Sequence, residues 1–229
     1  MDSSVAFNNY LSKTFITLGS GLAISTIVAS LVSSNFNAIF YALGSLAPFM
    51  MIAIIIGELG VAMYLNTRIT RMSKSTAWAC FIVYAVLTGL SLASVFTLYE
   101  LGSVVFALAT TCVLFICMSF IGLTGKIDFS KYSSLFVTGL MTIIIVTILN
   151  SLFFRFAIVD LFIMYLGVIV FLGLIAYDIQ KLRDLYASSY NYSEMADKIM
   201  IIGAFELYLD FINLFLRVLE LFGKRKNNK

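Results

Sequence analysis

Apolar residues run through this chain in long blocks rather than in narrow stripes or strict alternation. Residues 14–57, 75–99, 101–125 and 132–154 contain no Asp, Glu, Lys or Arg. Each block matches or exceeds the roughly 20 residues that an α-helix needs to cross a hydrocarbon core of ~30 Å. The first is long enough for two crossings, and Ser33, Ser34, Asn35 and Asn37 mark the turn between them. The pattern predicts seven spans, at about 14–32, 38–65, 76–99, 103–123, 133–154, 158–178 and 199–222. Pro48 falls inside the second, where it should kink the helix.

Composition agrees. Of 229 residues, 61% are hydrophobic and 12% are charged, whereas soluble domains carry about 25% charged residues. A water-soluble fold would have to expose several of the charge-free blocks. The expected class is therefore all-α, a polytopic seven-helix bundle forming a single transmembrane domain over residues 1–229, with the lipid bilayer as its partner. The polar start, MDSSVAFNNYLSK, lacks the form of a cleavable leader, so the first helix should be retained as a signal-anchor.

Candidate chemistry is narrow. Without histidine, Ser-His-Asp, Cys-His and HExxH sites are excluded. Cys80, Cys112 and Cys117 lie in apolar runs and read as small packing residues. No tightly bound cofactor is expected. The net charge of +3 comes from basic residues at helix ends and gives no reason to expect nucleic acid.

Orientation follows Lys and Arg. With the N-terminus cytoplasmic, that side receives Lys13, Arg68, Arg71, Lys74, Lys126, Lys131, Lys181, Arg183 and Lys198, and the opposite loops receive only Arg155. The tail conflicts with this. A seventh crossing places Lys224, Arg225, Lys226 and Lys229 outside, so the side of the C-terminus stays open at this stage. The lack of soluble domains suits a bacterial inner membrane.

Charged groups at mid-membrane are costly and are functional candidates by default. The last span, AFELYLDFINLFLRVLEL, carries Glu206, Asp210, Asn213, Arg217 and Glu220. At 100° per residue these five share an arc of about 80°. Arg217 and Glu220 are expected to pair with each other, which leaves Asp210 near mid-span. Asp178, in GLIAYDIQKL, lies at the end of the sixth span and is either an interfacial carboxylate paired with Lys181 or Arg183 or a partner for Asp210. Two carboxylates in contact cannot both ionise cheaply, so such a pair would hold a proton or a cation. Glu58 in the second span is a candidate cavity residue. In the third span, Gly89, Ser91 and Ser94 read as close helix packing.

Three segments carry a resemblance. YAVLTGLSLASVF in the third span, AYDIQ in the sixth and LYLDFINLF in the seventh together resemble the transmembrane Bax inhibitor motif family, in order and over nearly the whole chain. The resemblance implies a central last helix surrounded by six others, and a pH-sensitive Ca²⁺ leak. It places a proton-sensing pair at Asp178 and Asp210, with transient Ca²⁺ contact there, and a basic residue of the second helix, Arg68 or Arg71, that engages the pair in the closed state. Glu206, Glu58 and Asn213 are candidates for a cavity or ion path.

Two other readings compete. One is a non-conducting regulator that binds a membrane protease or a cell-death partner. The other is an intramembrane aspartyl protease, which AYD resembles in part. That class needs Gly-x-Gly-Asp at its second aspartate, and this chain has Tyr208-Leu209-Asp210. A retinal-type pump is excluded because the seventh span has no Lys.

Overall fold

The structure is a computed structural model that describes residues 3–189 and 193–226; Lys229 of the basic tail lies outside them. Eight α-helices follow in order: α1 (Ser3–Ser34), α2 (Phe36–Leu43), α3 (Ala47–Arg68), α4 (Lys74–Leu98), α5 (Leu101–Thr124), α6 (Ser133–Leu149), α7 (Ala157–Ser189) and α8 (Ser193–Phe222). Seven helical segments among the described residues are long and apolar enough to cross a membrane, with α2 and α3 sharing one of them. Ile16, Phe49, Phe120, Ile158 and Phe162 are exposed. Large apolar groups facing outward along whole helices have lipid, not water, as their solvent. The protein is an all-α polytopic membrane protein.

Two expectations about the helices change. Pro48 does not kink a continuous second span. The helix breaks earlier, at Gly44, whose φ of 52° is a left-handed conformation that glycine adopts without penalty. Pro48 then opens α3 in its first turn, where its missing N–H costs nothing. The sixth span likewise does not stop at residue 178. Ile179, Leu182, Leu185 and Tyr186 continue an apolar helical stripe, and α7 runs on to Ser189. The gap of about twenty residues between the expected sixth and seventh spans narrows, since α7 ends at Ser189 and α8 begins at Ser193; residues 190–192 lie outside the described residues. Asp178 is thus inside a helix, not at its end.

The chain forms two contact units. The first holds residues 1–100, 186–208 and 225–229; the second holds 101–185 and 209–224. In the first unit, α1 and α3 both pack on α4. Gly89 lets α1 approach closely, because a methyl group added there would meet the Ser25 carbonyl oxygen at 2.8 Å. Ser73 starts α4 by accepting the Thr76 N–H at 3.1 Å, a side-chain cap on an otherwise unpaired donor.

The same unit fixes the course of the last helix. Lys74, at the start of α4, pairs with Asp197 near the start of α8 at 2.6 Å. About two to three turns later Phe81 meets Phe205, and Tyr84 meets both Phe205 and Tyr208. Beyond the end of α8, the Lys226 N–H donates to the Leu98 carbonyl at 2.9 Å, and its ammonium group donates to the Phe96 carbonyl. The stretch of α8 within this unit therefore runs parallel to the first half of α4, and the residues that follow α8 meet the far end of α4. The last helix does not turn back. Its basic tail ends beside the final carbonyls of α4, where cations are favoured by the helix dipole, and Arg225 lies over the Tyr99 ring. A basic tail beside a loop poor in Lys and Arg thus has a local electrostatic reason.

In the second unit, Phe115 of α5 packs edge-on against Phe211 of α8. Two turns on, Gly122 lies against Ala176 and Ile179 of α7. The turn from α6 to α7 is held by buried Asn150, whose amide donates to the Phe156 carbonyl and to Asp160 and accepts from the Phe156 N–H.

Candidate functional site

The polar face of α8 belongs to the most buried span: 67% of its most apolar stretch is buried, against 39% or less in the other six. Within the polar stripe Asp210 is the fully buried member, 5% exposed. Glu206, Asn213 and Arg217 are half-buried and Glu220 is exposed. Arg217 pairs with Glu220 at 2.7 Å, as their spacing leads one to expect. Asn213 donates back to the Leu209 carbonyl at 2.8 Å, so its amide is engaged by its own helix. Glu206 belongs to the first unit, and Asp210 to the second.

Asp178 is half-buried on α7, in the same unit as Asp210. Each aspartate interacts with neighbouring groups. Both sit beside residues that pack on α5: Asp178 lies between Ala176 and Ile179, the Gly122 contacts, and Asp210 precedes Phe211, the Phe115 contact. The chain of α7 also touches that of α8 directly, since the Arg217 stem lies over Gly167. Among the described residues no group of three or more Cys, Asp or Glu side chains forms a metal cluster.

Arg68 and Arg71 are exposed and come together with Tyr64 and Met72 around an open concavity of about 540 Å³ in the first unit. Glu58 is half-buried on α3 and accepts a hydrogen bond from Ser91 Oγ at 2.9 Å. The small residues of α4 therefore do two things: Gly89 admits α1, and Ser91 satisfies a carboxylate.

Sequence reasoning passed over Gln180. It follows Asp178 by two residues and is 3% exposed. Its amide N–H donates to the Ile127 carbonyl, and its amide oxygen accepts the Phe129 N–H at 2.8 Å. One side chain thus ties α7 to the segment that joins α5 and α6. A polar residue two positions after a membrane carboxylate was the available signal. Gln180→Ala should lower stability by about 1 kcal/mol, read as a lower thermal midpoint in detergent.

With this geometry in hand, comparison with known proteins decides the family. Residues 7–227 match the family described as Inhibitor of apoptosis-promoting Bax1. The chain belongs to the Bax inhibitor-like family. An uncharacterized protein of Borreliella burgdorferi is 35% identical over 221 residues, covering 96% of this chain and 94% of that protein. Inner membrane protein YbhL of Escherichia coli K12 is 33% identical over 219 residues, covering 95% and 92%. An uncharacterized membrane protein of Streptococcus pyogenes serotype M3 is 28% identical over 222 residues, covering 97% and 95%. The family membership extends over the helices that carry Glu58, Asp178 and Asp210, and membrane proteins stand among its bacterial relatives. Integral membrane location follows both from them and from the seven apolar helices.

Proposed function

We propose that this protein is a pH-sensitive Ca²⁺ leak pathway gated by Asp178 and Asp210, with α8 as its central helix. The observation that carries the reading is the burial of Asp210 on the most buried span. A carboxylate there is costly unless it serves a proton or a cation.

The helix register supports a pair. Gly167 and Asp178 are eleven residues apart, which is about three turns and returns to within roughly 20° of the same face. Arg217 and Asp210 are seven apart, again within roughly 20°. The contact of Gly167 with Arg217 therefore marks the facing stripes on which both aspartates lie. Carried along two antiparallel helices at 1.5 Å per residue, that register brings the aspartates within about one turn of direct opposition.

At low pH a shared proton joins the two carboxylates and closes the path. As pH rises both ionise, repel each other and attract Ca²⁺, a hard cation that takes oxygen ligands. Two carboxylates make a point of passage and not a resident metal site. Arg68 or Arg71 is the candidate basic residue of the closed state, Glu58, Glu206 and Asn213 are candidates for a cavity or ion path, and the physiological partners are Ca²⁺ and protons.

The test is calcium entry into liposomes holding the purified protein. Flux should rise as pH rises. No flux at any pH would overturn the reading in favour of a non-conducting regulator of another membrane protein.

A further inference from the structure

We propose that the first unit contains a binding site for one small monovalent cation, such as sodium, formed by Glu58 with the hydroxyls of Ser25, Tyr84, Thr88, Ser91 and Tyr208. It is separate from the aspartate pair and does not rest on the proposed leak.

Four helices deliver these oxygens: α1 brings Ser25, α3 brings Glu58, α4 brings Tyr84, Thr88 and Ser91, and α8 brings Tyr208. On α4 the spacing of four and three keeps the hydroxyls on one face. Thr88 stands fourteen residues into a 25-residue helix, near mid-span.

Proton bookkeeping makes the cluster rich in acceptors. Ser25 Oγ lies 2.7 Å from the Ala85 carbonyl and 3.0 Å from the Gly21 carbonyl. Carbonyls only accept, so the single Ser25 proton is committed to them. In its 2.6 Å contact with Tyr208 Oη, the tyrosine must then donate. Tyr208 consequently keeps only lone pairs for its other neighbours. Ser91 spends its proton on Glu58, which leaves the second carboxylate oxygen as an acceptor.

Thr88 is the independent sign. It is 5% exposed and lies beside Glu58, Tyr84 and Tyr208, close enough to interact with all three. Yet its Oγ1 meets no partner at hydrogen-bonding distance and angle. A buried hydroxyl beside Glu58, Tyr84 and Tyr208 that completes a well-formed hydrogen bond with none of them is the arrangement expected around a small guest. Charge selects the guest. One carboxylate among neutral oxygens balances one positive charge, whereas Ca²⁺ sites draw on more oxygens and usually several carboxylates.

The experiment is thermal unfolding of the full-length protein in detergent, in NaCl against choline chloride at equal ionic strength and fixed pH. Sodium should raise the midpoint in a saturable way, as a ligand of the folded state must. Glu58→Gln should remove the shift. Thr88→Val should raise the half-saturating sodium concentration by about tenfold, and Thr88→Ser should restore it. Asp210→Asn should leave the sodium response in place. Equal midpoints in sodium and choline for the unsubstituted protein would overturn the proposal, as would an undiminished shift in Glu58→Gln. The first of these readings needs no variant to fold.

Discussion

Replacing Gly122 by leucine should separate α5 from α7 and unfold the protein at a much lower temperature. A methyl group at this position would lie 2.6 Å from the Ala176 carbonyl oxygen and 3.1 Å from Ala176 Cα. Those are backbone atoms inside a helix, so no rotamer change on α7 can make room. The helices must part, and overpacking of this kind costs about 3 kcal/mol or more. Because Ala176 and Ile179 flank Asp178, the same displacement should disturb the candidate gate. Gly102 in the same helix provides the control, since nothing lies within 4 Å of a methyl group placed there. Gly102→Ala should be neutral or slightly stabilising through helix propensity. Paired unfolding curves in detergent check both, and a Gly122→Leu curve that overlays the unsubstituted one would contradict the close packing.

Tyr208→Ala should have the second large effect. The side chain is fully buried, packs edge-on against Phe81 and Tyr84 with centroids 5.8 and 5.9 Å apart, and bonds Ser25. In a bilayer the unfolded reference is a set of inserted helices, so less of the cost is transfer from water. It comes chiefly from the lost contacts and the hole left behind. About 3 kcal/mol is expected, at the low end for deleting a buried aromatic ring. Tyr208→Phe keeps the ring contacts and loses only the hydroxyl. It should cost about 1 kcal/mol, since Ser25 retains two carbonyl partners. Thermal midpoints of the two variants separate packing from hydrogen bonding, and equal losses would contradict this division.

The spans were legible because burial in lipid leaves a coarse signal: long stretches without charge need no detailed packing to be recognised. Helix ends were less legible. Gly44 ends α2 through a backbone conformation, and Pro48 then serves as a helix starter, but a proline in an apolar run looks the same whether it kinks or begins a helix. The extension of α7 past Asp178 was hidden by Lys181, Arg183 and Asp184, which read as a loop until Ile179 and Leu182 are seen to be buried. Arg217 with Glu220 could be read from spacing because their partners are local. Ser25 with Tyr208, Lys74 with Asp197 and Gln180 with Ile127 could not, because each joins segments far apart in sequence. The direction of the last helix belongs to this second kind. Charge alone pulled its tail toward the cytoplasm, whereas the start of α8 and the tail that follows it meet opposite ends of α4.

The central proposal is that Asp178 and Asp210 together make the protein respond to protons. The most direct measurement is calcium flux into liposomes as a function of pH for the unsubstituted protein, Asp178→Asn and Asp210→Asn. If the proposed pair gates the path, the unsubstituted protein should conduct more as pH rises. Either asparagine removes one titrating group and the mutual repulsion, so both variants should give flux that no longer varies with pH. A pH dependence retained in both variants would contradict the account.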